Sequence, residues 1–330
     1  MPEAAIVIPV AGGKGGVGKT LITANLALAL AEQGCATIAV DLDLGNSNLH
    51  SLLGLPNQYP GIGDFLRIGE YPLERFLVQT DHPKLQFLPG DGRMPFMANI
   101  TFTQKNQLIS RIKTLPAEYI LLDLGAGCAF HTLDFFTMAG SGIVVGTPEF
   151  PAVMSALVFL KNLVLREIER SLPKDGDLTD LLQELYVQPM KAPQLSVPIF
   201  MERVAADHPE IGQRLTEVLA QRRPRLVFNM GEHPDELKWL QSIDRTAREI
   251  LSIEVDHFGF VFSDPAARFS IRQGKALLAS HPDSLAARNI LQLARRVIRF
   301  WERPIPNSWE LLSQRTWNDF EERSKENPLS

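Results

Sequence analysis

Short apolar runs alternate with longer amphipathic stretches along most of the chain. Residues 4–10, 36–40, 119–122 and 142–147 are dominated by Ala, Val, Ile and Leu. Runs of that length without polar alternation read as strands covered on both faces. Residues 85–90 and 225–230 read as further strands, the first ending in a Pro-Gly turn and the second in Asn229-Met230. Between them, residues 21–30, 104–113, 133–139 and 155–171 read as helices, with shorter helical pieces at 51–55 and 61–66. Alternation of this kind predicts an α/β fold with a mostly parallel sheet.

The stretch between the first strand and the first helix carries the chemistry. It reads Gly12-Gly13-Lys14-Gly15-Gly16-Val17-Gly18-Lys19-Thr20. Strand, glycine loop and helix form the context in which such a pattern becomes a phosphate site. The glycines let successive backbone N–H groups turn toward one anion, and the helix N-terminus adds partial positive charge there. Lys19 is placed to reach the β- and γ-phosphates of a nucleotide, and the Thr20 hydroxyl to hold Mg²⁺. Two acidic segments follow at strand ends, where ligands bind in an open parallel sheet. Asp41 and Asp43 follow residues 36–40, and Asp123 closes the run at 119–122 ahead of Gly125 and Gly127. Asp is also a common turn residue, so each acidic segment gains its meaning from the glycine loop.

Lys14 sharpens the pattern. Lys-Gly-Gly-Val-Gly-Lys-Thr resembles the deviant Walker A motif of the MinD/ParA ATPases, and Thr147-Pro148-Glu149 with Asp123-Leu124-Gly125-Ala126-Gly127 is closest in wording to the FlhG-like subgroup. The resemblance runs from about residue 6 to 301, taking 258–262 as the last core strand and 284–303 as a helix. It implies a three-layer α/β/α P-loop NTPase that binds ATP and Mg²⁺ and hydrolyses ATP slowly. It further implies that Lys14 crosses a homodimer interface to the partner's nucleotide and that Asp41 lies near the metal shell. By the same likeness Asp43 positions the attacking water, Asp123 accepts from a metal-bound water and Asn229 reads the adenine edge. This chain departs from the pattern at Phe262-Ser263, where relatives often have Pro-Glu or Pro-Asp. The expected function is an ATP-dependent dimerisation switch acting with a protein partner to position or count a cellular structure, a flagellum or a division site.

Two segments fall outside that core. Residues 172–224, with helix-like pieces around 178–187 and 199–222 interrupted by Pro189, Pro193, Pro198 and Pro209, read as a helical insertion within an ATPase domain spanning 1–303. Residues 304–330 read as a tail. Its Trp309, Trp317 and Phe320 are accompanied by Glu310, Asp319, Glu321, Glu322 and Glu326, and an acidic helix is repelled by anionic lipid. A packing or partner role is therefore expected ahead of a membrane anchor.

Composition narrows the alternatives. With 45% hydrophobic and 22% charged residues, the 330-residue chain can bury a large core, in one large α/β domain or two small ones. A net charge of -5 gives no general drive toward nucleic acid, so a DNA-partition role would need a local stripe such as Arg288, Arg295, Arg296, Arg299 and Arg303. An iron–sulfur carrier on the same scaffold would need paired cysteines, and Cys35 and Cys128 form no CxxC motif. The early apolar run has no basic segment before it and leads into the glycine loop, so a cytoplasmic location is expected, with the inner membrane face as a peripheral alternative.

Overall fold

The computed structural model describes residues 5–69, 71–90, 100–173, 176–190 and 194–326. Its centre is one eight-stranded sheet in the order β3-β4-β2-β5-β1-β6-β7-β8. The strands are β1 (Ile6–Ala11), β2 (Thr37–Leu42), β3 (Val78–Gln79), β4 (Leu85–Leu88), β5 (Tyr119–Leu124), β6 (Ile143–Gly146), β7 (Arg225–Gly231) and β8 (Asp256–Phe262). All pair in parallel except β3, which runs antiparallel to β4 at one edge. β1, β2 and β5 sit in the middle of the sheet, which explains why their sequences show no polar alternation.

Helix α1 (Lys19–Glu32) lies on one face with α13 (Leu285–Phe300). Leu21 to Ala31 are all buried, so α1 is apolar around its whole circumference, as a helix between sheet and second helix must be. The other face carries α4 (Phe102–Ile112), α5 (Phe130–Thr137), α6 (Phe150–Ser171) and α10 (Lys238–Leu251). The result is the expected three-layer α/β/α arrangement. Short helices α2 (Leu49–Leu52) and α3 (Ile62–Ile68) follow β2, while α11 (Pro265–Gln273) and α12 (Leu277–Ser280) follow β8.

Residues 172–224 contain α7 (Gly176–Tyr186), α8 (Val197–Asp207) and α9 (Pro209–Ala220). Pro198 and Pro209 sit in the first turns of α8 and α9, so they start helices where the sequence reading took them as interruptions. Phe200, Val204, Leu215 and Leu219 are buried in the same core as α6 and α10. Arg222 pairs with Glu167 of α6 at 2.8 Å. Helices α7, α8 and α9 of this segment are all packed onto the α/β core.

The tail forms α14 (Ser308–Glu326), which lies along β8 with Leu312 and Thr316 buried. Among the described residues, no helix is long and apolar enough to cross a membrane.

Candidate functional site

The parallel strands point their C-terminal ends to one edge of the sheet, and the loop after β1 crosses that edge. Its glycines have separate duties. A Cβ on Gly13 would lie 2.0 Å from the Ser155 carbonyl oxygen of α6, so only glycine lets the loop pass that backbone. Gly16 and Gly18 take left-handed φ values of 80° and 87°. Gly15 and Gly16 are exposed, and a Cβ there would meet nothing within 4 Å, which leaves the loop crest open to a ligand. Val17 is buried and anchors the crest. Lys19 opens α1 and is buried, and its carbonyl accepts from the Thr23 hydroxyl at 2.9 Å, yet its ammonium group forms no hydrogen bond or ion pair among the described residues.

Asp41 and Asp123 are register partners on β2 and β5. Their exposures are 0% and 1%. Asp41 accepts from the Ser47 hydroxyl at 2.6 Å, the Leu49 amide at 3.0 Å and the Asp43 amide at 3.1 Å. It thereby pins the turn that follows β2 as well as facing the site. Burial nevertheless pushes its pKa up to about 6. Asp123 accepts from the Thr20 hydroxyl, and Thr23 Oγ1 lies 3.3 Å from its Oδ1. Burial first, then the nearby Asp41 charge, pushes Asp123 up to about 8, against the opposing pull of Thr20 and Lys19. Asp43 lies across from the loop after β5, where a Cβ on Gly125 would come 3.3 Å from its Oδ1. That loop is tied to the glycine loop by the Gly127 amide, which donates to Gly12 O at 3.0 Å.

The charges of Asp41 and Asp43 both act on Asp123 with Lys19 opposing them, while among the described residues no three acidic, His or Cys side chains converge closely enough to hold a metal ion by themselves. The raised pKa values of Asp41 and Asp123 record burial first, with the neighbouring carboxylates adding to it. An oxygen-only set of two buried carboxylates beside a hydroxyl suits Mg²⁺, which keeps several waters and binds through one or two carboxylates together with phosphate. The residues therefore fit the metal that the sequence implies, and Thr20, Asp41 and Asp123 are the ones that would hold it, directly or through water.

Lys14 is partly exposed on the crest and also forms no hydrogen bond or ion pair among the described residues. Asn229 ends β7 beside the same loop, 2% exposed, and its Nδ2 donates to Val17 O at 3.0 Å. The fit is close, since a Cβ on Gly18 would lie 2.2 Å from that nitrogen. Asn229 therefore braces the loop with one amide hydrogen, and its carbonyl oxygen and second N–H are left for a ligand. The phosphate-loop residues Gly13 to Thr20, with Asp41, Asp43, Asp123 and Asn229, all lie at this edge. Ser47, Thr23 and the Leu49 amide were missed; Thr23 had a signal, one helical turn beyond Lys19, while the other two depend on how the β2 loop folds back.

Two alternatives lose support. Cys35 lies before β2 at the opposite edge of the sheet from Cys128, which follows β5, so the two cannot share a cluster within one chain. The proposed basic stripe is broken as well, because Arg296 turns inward to donate to Phe258 O at 2.6 Å.

Comparison with known proteins agrees with this geometry. The family model described as "CobQ/CobB/MinD/ParA nucleotide binding domain" matches residues 8–302. The septum site-determining protein MinD of Synechocystis is 35% identical over 151 residues, 46% of this chain and 56% of the relative. The chain spans about half the length of the curated relatives it matches. Among solved structures, MinD of Pyrococcus horikoshii complexed with Mg-ADP aligns at a TM-score of 0.58 and 20% identity over 91% of this chain and 100% of that one. MinD in the Aquifex aeolicus MinC:MinD complex aligns at 0.58 and 22% over 90% and 96%. These structures share the fold. By a family match that covers most of its length, the chain belongs to the CobQ/CobB/MinD/ParA nucleotide-binding domain family.

Proposed function

We propose that this chain is a Mg²⁺-dependent ATPase whose ATP-bound form is a homodimer, and that the dimer docks a protein partner and releases it on hydrolysis. The observation that carries the reading is the pair of unsatisfied lysines at one loop. Lys19 is buried beside Asp123 and faces the phosphate site of its own chain. Lys14 stands on the open crest with no hydrogen bond or ion pair among the described residues, as expected of a group completed by a second subunit. In the bound state Lys19 and the loop amides hold the phosphates, Asp43 orients the attacking water, and Asp41 and Asp123 order the metal's waters. Mg²⁺ held there by Thr20, Asp41 and Asp123 would supply positive charge to offset that of the phosphates and the carboxylates. Asn229 reads the base with the amide atoms that it does not use on Val17.

The MinD names among the relatives, and the MinC:MinD complex among the folds, support a positioning role at a division site or a comparable structure such as a flagellum. Light scattering with Mg·ATP tests the reading. The native chain is expected to shift to twice its mass, while Lys14→Ala should keep nucleotide binding and stay monomeric. A Lys14→Ala protein that dimerises as the native chain does would refute the cross-subunit role.

A further inference from the structure

The tail helix α14 reaches the two strand ends that flank the base side of the loop. Trp317 and Phe320 both meet the ring of His233, edge to face, with centroids at 5.4 and 4.7 Å. His233 lies four residues after Asn229 and three after Met230. Met230 itself sits against the glycine loop, its Cε 3.4 Å from where a Cβ of Gly18 would be. The short link is stiff: the Glu232 and His233 amides both donate to Glu236, at 2.9 and 3.4 Å, and Met230 holds a left-handed φ of 59°. On the second strand, Phe320 stacks on Phe262 at 6.3 Å, at the end of β8. Buried Asn289 joins the same two elements, accepting from the Phe262 amide at 3.2 Å and donating to Asp319 of α14 at 2.9 Å. The amide of Ser263, the next residue, then donates to Gly231 O at 2.7 Å and closes the ring of contacts between the two strand ends.

We infer that Trp317, Asp319 and Phe320 of α14 are positioning residues for the base-side wall of the nucleotide site, acting through His233 on Asn229-Met230 and through Phe262 on the loop after β8. The inference rests on the reading of Asn229 as the base-side residue. It gives the acidic, aromatic tail a task within its own chain. The phosphate loop is tied to α6 at Gly13 and to the loop after β5 through Gly127, and it meets the base-side wall at Val17 and Gly18, where Asn229 and Met230 touch it. Losing an α14 ring contact should therefore weaken recognition of the base more than that of the phosphates.

The test compares Mg·ATP with Mg·tripolyphosphate, which carries the phosphates without the nucleoside, by calorimetric titration. Trp317 is 39% exposed, so Trp317→Ala should fold; Phe320→Ala and Asp319→Asn give independent variants, each checked by thermal melting. One lost aromatic contact is expected to weaken ATP binding about three- to tenfold, with a clearly smaller loss for tripolyphosphate and Trp317→Phe restoring most of the loss. Folded variants that bind both ligands as the native chain does, or that weaken for both alike, would overturn the inference. A native chain that binds ATP no more tightly than tripolyphosphate would remove the base-side reading, and this inference with it.

Discussion

The buried pair Asp41 and Asp123 sets a specific conflict between stability and function, and Asp123→Asn exposes it. A carboxyl whose pKa is raised on folding stabilises the fold at low pH, and that contribution disappears as pH climbs from the unfolded value toward the folded one. For Asp123 the window runs from an ordinary value of 3.8 to about 8. Each pKa unit is worth about 1.4 kcal/mol, so some 4 kcal/mol of stability is lost by pH 7 if Asp123 alone is followed. That is a large part of the ~5–15 kcal/mol that holds a typical domain together. The amide of Asn keeps an acceptor for the Thr20 and Thr23 hydroxyls and removes the ionisation. Urea unfolding of the nucleotide-free protein should therefore give equal stabilities for native and variant chains near pH 4. The variant should gain steadily with pH, leading by about 4 kcal/mol at pH 7. The same variant should lose Mg²⁺-dependent hydrolysis. A stability difference that stays constant from pH 4 to pH 8 would refute the claim that Asp123 is held protonated by its surroundings.

Other outcomes follow from the same geometry. Affinity for Mg·ATP should rise between pH 6 and pH 8, because cation binding must displace the proton held by the carboxylate pair; calorimetry in buffers of different ionisation enthalpy would register that release. Gly13→Ala should cost about 3 kcal/mol in urea unfolding, since its Cβ would press on the backbone of α6, whereas Gly15→Ala, with open space around it, should leave stability unchanged and reduce only ATP affinity. Asp43→Ala should retain ATP binding and lose about a hundredfold in hydrolysis, measured by phosphate release, with the dimer accumulating as a result. Lys19→Ala should abolish most ATP binding in calorimetric titration while melting as the native chain does.

The sequence made the centre of the molecule legible because the strands there have one environment. β1, β2 and β5 are covered on both faces, so their apolar runs are unbroken, and the acidic or glycine residue that ends each run marks the functional edge. The glycine loop was legible for a different reason: few backbones other than one turned around an anion need that spacing with Lys-Thr behind it. What stayed hidden was whatever depends on approach from a distance. Gly13 was read as a phosphate-loop residue, and its closest neighbour is the backbone of Ser155, 142 positions away. Nothing local marks Asn229 as a brace on Val17. The helix at Lys238–Leu251 was readable but unread, since Leu240, Ile243, Ala247 and Leu251 recur at helical spacing and all are buried. The two-residue β3 has too little pattern to find.

The arginine stripe and the tail illustrate a more general difficulty, because both belong to the problem of an exposed sheet edge. β8 is the last strand and would present unpaired backbone groups to water or to other chains. Its free edge is instead met by side chains: the His257 amide donates to Ser308 Oγ at 3.1 Å, Phe258 O accepts from Arg296, and the Phe262 amide donates to Asn289. Ser308 lies at the start of α14, and Arg296 and Asn289 lie on α13. An arginine in this role looks in sequence like one member of a basic face, and a tail in this role looks like an appended helix. Charge and aromatic content cannot separate these uses, because the deciding fact is which strand is last in the sheet. Once β8 is known to be the edge, the acidic composition of α14 has a simple consequence: Leu312 and Phe320 are turned onto β8 and His233, Asp319 is turned onto Asn289, and Glu310, Glu321 and Glu322 are left on the solvent side, where they oppose approach to an anionic surface.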